Sequence, residues 1–215
     1  MAEASIPVDL TNPGQVFAGL GFLEAAEVLM QDAQGAFEWT DTAACFRMRT
    51  AGKEHPFAEV IAWVRDAALE TLAPPGSNLS TSKWQVPTNV IADSESYPIN
   101  VPDSAATLPA QLLSLNGEAL LVDHWGDSTN RDNAKFWAGA GGYPGAALLR
   151  DAIELVRTMM PSGAEEVPFA FHAPQTSSFR FDWRRDYVDI DAGFSPNEHE
   201  LILMQGYPLV EVFAA

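Results

Sequence analysis

The densest chemistry in the sequence is Phe179-Arg180-Phe181-Asp182-Trp183-Arg184-Arg185, which sets three arginines among three aromatic rings within seven residues. A guanidinium forks onto phosphate oxygens and an exposed ring stacks on an unpaired base, so a segment carrying both suits single-stranded nucleic acid. The same spacing has a second reading. On a strand, Phe179, Phe181 and Trp183 fall on one face, as core-facing residues do. Arg131 and Lys135, beside Asn130 and Asn133, form a smaller basic group able to follow a phosphate backbone or to pair with Asp127 and Asp132. Lys83 stands with Asn78, Ser80, Ser82 and Trp84 in a polar stretch. Arg131, Lys135, Arg180, Arg184, Arg185 and Lys83 are therefore the candidate nucleic-acid-binding residues.

Other groups carry weaker signals. Gly139-Ala140-Gly141-Gly142-Tyr143-Pro144-Gly145 precedes a helical pattern, and glycines there let backbone N–H groups approach a phosphate. A dinucleotide site, however, follows a buried strand, and Asp132-Asn133-Ala134-Lys135 is polar. Asp123, His124 and Asp127 bring carboxylate and imidazole together, but His55, His172 and His199 are scattered without ligand spacing, and a capped turn accounts for the same residues. Neither a Gly-x-Ser-x-Gly nor a Walker pattern occurs. No catalytic residue, metal or cofactor is expected. Glu165-Glu166, Glu198 and Glu200 read as solvated surface, and Cys45 as a small core residue.

Twelve Lys and Arg against 29 Asp and Glu leave a formal charge of −17, which opposes nonspecific attraction to a polyanion. Contact with nucleic acid must be local, and the acidic surface equally fits a basic partner or solubility alone. The 47% hydrophobic and 10% aromatic content suffices for a folded core. The longest apolar stretch, residues 15–30, is interrupted by Glu24 and Glu27 and is too short and polar to span a bilayer. Residues 1–10 hold neither a basic region nor an apolar signal core, and the lone cysteine fits a reducing compartment, so a cytoplasmic location is expected.

The elements that must position these groups follow from periodicity. Residues 6–10 read as a strand, and Thr11-Asn12-Pro13 as the cap of a helix whose apolar positions Val16, Leu20, Leu23, Ala26 and Met30 recur at helical spacing. Gly19 and Gly21 within it predict close packing against a neighbour. A hairpin over 36–40 and 44–50 turns at Asp41-Thr42-Ala43, and a second helix is expected over 56–72. The order βαββα is most of a ferredoxin-like unit, expected over 1–75. A long irregular segment follows over 76–117, and then an α+β second half over 118–215 packs on the first to make one compact unit. In it, a strand at 119–122, a helix over 144–159, strands at 167–171, 178–183, 188–191 and 201–204 and an apolar helix from Tyr207 are expected. The fold class is α+β, with a mainly antiparallel sheet and one long helix in the second half.

Three stretches carry a resemblance: Pro7-Val8-Asp9-Leu10-Thr11-Asn12-Pro13-Gly14-Gln15-Val16-Phe17-Ala18 with Gly21-Phe22-Leu23-Glu24; Phe179-Arg180-Phe181-Asp182; and Gly193-Phe194-Ser195-Pro196 with Tyr207-Pro208-Leu209-Val210-Glu211. Together they resemble the small large-subunit-like protein of type I-G (formerly I-U) CRISPR surveillance complexes. The resemblance implies a noncatalytic subunit of an RNA-guided complex, in which guide pairing reads sequence and protein reads backbone, shape and a short flanking motif. Its implied partners are the other effector subunits, guide RNA, target DNA and a separate helicase-nuclease. Members of the family continue beyond the final Tyr-Pro helix, which implies that this chain is a shortened one. Two rival functions remain from the residues alone: a nucleotide-dependent enzyme using the glycine-rich turn, and an acidic inhibitor that mimics nucleic acid.

Overall fold

The computed structural model describes residues 2–30, 32–51, 55–73, 88–90, 110–122, 145–175, 178–184 and 204–215. The chain divides into two compact units, Met1–Arg65 with Ala152–Ala215, and Asp66–Asp151.

The first unit opens with β1 (Ala2–Pro7), α1 (Pro13–Leu29), β2 (Gln34–Trp39), β3 (Ala44–Thr50) and α2 (Pro56–Asp66, its last residue belonging to the second unit). Its antiparallel sheet has the order β1-β3-β2, the arrangement of a ferredoxin-like split unit with α1 as the crossover. Strand β1 lies upstream of the expected 6–10. Past Pro7 the Val8 N–H still reaches the Ala44 carbonyl at 3.0 Å, and Asp9 then turns the chain by accepting bonds from the Thr11 amide at 2.9 Å and the Thr11 hydroxyl at 2.7 Å. The β2–β3 hairpin closes where expected, with Thr40 N–H donating to the Ala43 carbonyl. Alternation along β3 buries Phe46 and Met48 and sets Arg47 and Arg49 on the opposite face, paired with Glu3 of β1 and Glu38 of β2. Cys45 shares that outer face and is only partly buried, so it is not the core residue expected.

Phe22 of α1 is the hub of the first unit's core. Its ring stacks on Phe213 with centroids 3.7 Å apart, and meets Phe57 edge-on at 5.3 Å and Phe169 at 6.0 Å. Phe213 belongs to α4 (Pro208–Ala214), where a helix was expected. Two of the α1 glycines explain how these elements come so close. A Cβ on Gly21 would collide with the backbone carbonyl of Phe213, and one on Gly19 would press on the Phe37 ring at 2.9 Å.

Among the described residues the second unit holds a four-stranded sheet, β5-β4-β6-β7, from β4 (Ala68–Ala73), β5 (Thr88–Val90), β6 (Ala110–Leu115) and β7 (Glu118–Val122). Only the β4–β5 pair is parallel. The expected helix over 56–72 therefore ends at Asp66. Beyond it Leu69, Thr71 and their neighbours find ladder partners on β6, and those interstrand bonds outweigh the helical spacing of Ala68 and Leu72. Strands β5 and β6 fall within the stretch read from sequence as irregular. Gln111 is fully buried and bonded at both ends of its amide: it accepts from the Thr71 hydroxyl at 3.2 Å and donates to the Ala146 carbonyl at 2.7 Å.

Helix α3 (Gly145–Met159) matches its expected span, with residues to Asp151 in the second unit and the rest in the first. The strand expected over 167–171 is instead a 3-10 turn, Pro168–Ala170. Pro168 cannot donate to a ladder but fits the first position of a helical turn. A two-stranded ribbon joins β8 (Ala173–Pro174) to β9 (Gln205–Gly206), just beyond the expected 201–204. The expected strand at 188–191 lies outside the described residues. No helix of the described residues is long and apolar enough to cross a membrane.

Candidate nucleic-acid interface

The aromatic and basic segment is not a strand. Arg180 has φ 64°, a left-handed conformation that a bulky L-residue adopts only under outside constraint. The constraint is Glu211 on α4. Its Oε2 accepts the Arg180 amide at 3.0 Å and its Oε1 the Asp182 amide at 3.3 Å, so one carboxylate takes the donors that a neighbouring strand would have taken. The twist at Arg180 also breaks the expected alternation. Phe179 and Phe181 turn into the core with centroids 5.2 Å apart, while Trp183 is 59% exposed. The two sequence readings thus divide between the rings: two are core and one faces water.

Asp182 anchors the segment from its other side. Its carboxylate, 1% exposed, accepts from the Asn12 amide group at 2.8 Å, the Arg184 backbone N–H at 2.8 Å and the Arg184 guanidinium at 2.6 Å. Asn12 serves two ends at once, because its Oδ1 caps α1 by accepting the Gly14 N–H at 3.1 Å. Gln15 completes the turn by accepting the Asp9 N–H at 2.7 Å. The Phe181 carbonyl lies so close to Gly14 that a Cβ there would collide with it. The described parts of the three stretches that carry the resemblance, around Asn12, Asp182 and Glu211, therefore meet in one buried polar junction.

Arg184 belongs to that junction. Beyond Asp182, its Nη2 donates to the Phe169 carbonyl at 2.7 Å and its guanidinium lies 3.8 Å over the Tyr207 ring. Those donors are committed within the chain. Arg180 is the described candidate whose side chain faces solvent, and Trp183, absent from the residues assigned from sequence, faces it too. Arg131, Lys135, Arg185 and Lys83, the glycines 139–142 and the Asp123-His124 group lie outside the described residues. Gly145 is the buried first residue of α3. Among the described residues no three His, Cys, Asp or Glu side chains gather as metal ligands.

Glu211 is the group that sequence reasoning missed, although a lone carboxylate inside Leu209-Val210-Glu211-Val212-Phe213 was the available signal. It is 2% exposed, and burial pushes its carboxyl up to about 7, reinforced by Asp182 and opposed by the amides of Asp182, Arg180 and Phe181. Below about pH 4.5 the group is protonated whether folded or not. Between 4.5 and 7 the folded chain keeps a proton that the unfolded chain has lost, so stability falls as pH rises through this window. Across it the loss is on the order of 3 kcal/mol. Urea midpoints should therefore drop between pH 5 and 8 in the parent, and Glu211→Gln should flatten that slope. Equal slopes would remove Glu211 as the cause.

What the junction offers a ligand is a backbone held rigid from beneath, bearing an exposed guanidinium and an exposed indole. Its two carboxylates are sealed from solvent and occupied by the chain's own donors, so they present no acid or base to a substrate. Comparison with known proteins returns no match to this chain, whether among family models, curated proteins or solved structures.

Proposed function

We propose that the chain is a noncatalytic, cytoplasmic subunit of an RNA-guided CRISPR effector complex, contacting single-stranded nucleic acid locally through Arg180 and Trp183. The observation that carries this reading is the 178–184 segment itself: an acidic chain sets one exposed arginine and one exposed tryptophan on a backbone pinned by Glu211 and Asp182. Indole stacking tolerates any base and guanidinium binding any phosphate, so the pair suits a subunit that leaves sequence reading to guide pairing. Support also comes from the three resembling stretches, whose described parts converge on the same junction. The charge of −17 keeps other contact with polyanions weak and favours basic protein neighbours in the assembly.

Fluorescence anisotropy with labelled single-stranded RNA and DNA tests the contact. Trp183→Ala should weaken binding about 5- to 100-fold, the range of one stacked base. Arg180→Ala should weaken it and lower the salt slope by about one. Co-expression with the neighbouring genes of the native operon tests the assembly, and stoichiometric partners carrying a uniform repeat-derived RNA are expected. A chain that purifies alone and binds neither RNA nor DNA would overturn the reading. Tight capture of a basic protein in their place would point to the acidic inhibitor.

A further inference from the structure

Helix α1 is apolar around most of its circumference. One side holds Ala18, Phe22, Ala25 and Ala26, all buried. The side facing water is apolar too: Leu20 is 48% exposed and Val28 37%, and Leu10 just ahead of the helix is 40% exposed. Exposed leucines scattered singly need no explanation. Leu20, Glu24 and Val28 instead follow each other at four-residue spacing and form one ridge, with exposed Glu27 beside it.

The charges on the ridge decide what can cover it. Between Pro13 and Leu29 there is no Lys, Arg or His, so Glu24 and Glu27 are the helix's charged groups. A second copy laid on this ridge would bury carboxylates against carboxylates or against Leu20, with no cation from either helix, which costs desolvation and repulsion together. A surface with apolar side chains flanked by ammonium or guanidinium groups meets both features.

We propose that the Leu20-Glu24-Val28 ridge of α1 docks an amphipathic helix of a basic partner protein, whose apolar side chains cover Leu20 and Val28 and whose Lys or Arg side chains pair with Glu24 and Glu27. Interhelical packing of this kind reads residues three and four apart, the spacing that the ridge presents. The inference stands apart from the nucleic-acid reading, because the ridge has no group that recognises a phosphate.

Two synthetic peptides of identical leucine and lysine composition test it, one with the leucines in heptad order and one with them scattered around the helix. The heptad isomer should bind the full chain about tenfold or more tightly than its scrambled counterpart. Leu20→Ser/Val28→Ser should erase that preference, and Glu24→Gln/Glu27→Gln should weaken binding of the heptad isomer severalfold. Leu20→Lys, a single change at an exposed position, serves the same purpose should the double variant fail to fold. Equal binding of the two isomers would reduce the effect to general charge attraction and overturn the proposal. So would an unchanged preference in Leu20→Lys, or dimerisation of the chain alone that Leu20→Lys abolishes.

Discussion

Asp182→Ala is expected to destabilise the first unit by about 3 kcal/mol, lowering the urea midpoint by about 1–2 M. The loss has three parts. The Asn12 amide group loses its acceptor, the Arg184 guanidinium loses the partner held at 2.6 Å, and the Arg184 backbone N–H is left without its carboxylate. The Arg184 side chain is 27% exposed, so water recovers part of its charge and keeps the loss near the low end for a buried pair. A cycle through Asp182→Asn, Arg184→Met and the double variant separates the ion pair from the hydrogen bonds. The double variant should recover part of the loss seen in Asp182→Asn, because it leaves no unpaired cation in the junction. A coupling near zero would mean that Arg184 contributes through its contacts with Phe169 and Tyr207 alone.

The same junction shows why sequence reading succeeds on some of this chain and stops short on the rest. Local signals were legible. Asn12-Pro13 announced the cap of α1, the Phe46/Met48 alternation announced β3, and the α1 glycines announced a close neighbour. What failed depended on partners far along the chain. The backbone at Arg180 takes its conformation from Glu211, which lies 31 residues away, and Asn12 meets Asp182 across 170. No periodicity encodes such a meeting. In the sequence Arg184 is a binding candidate and Trp183 reads equally as a core-facing ring, yet Asp182 draws the arginine inward while the turn leaves the indole in water. Likewise, residues 68–72 continue the helical spacing of α2 until the ladder with β6 overrides it.

Gly21→Ala tests how far the exposed pair depends on packing beneath it. In an ordinary helix interior this change gains up to about 1 kcal/mol from propensity. Here the new methyl would meet the Phe213 carbonyl, which is backbone and cannot rotate aside, so α4 itself must move. A net loss of about 2–3 kcal/mol is expected, typical of overpacking, with the melting temperature as readout. Gly19→Ala is the internal control. Its methyl would meet the Phe37 ring edge at 2.9 Å, and a side chain can turn away, so the loss should be about 1 kcal/mol or less. The effect of Gly21→Ala should also reach the surface. Moving α4 separates Phe213 from Phe22 and draws Glu211 away from the Arg180 and Asp182 amides that hold the exposed segment. Folded Gly21→Ala protein should thus exchange the Arg180 and Asp182 amide hydrogens faster than the parent, and any nucleic-acid affinity carried by Trp183 should fall with it. A stabilised variant with unchanged exchange would show that α4 does not hold this segment in place. Faster exchange with unchanged affinity would keep the latch and move the nucleic-acid contact elsewhere.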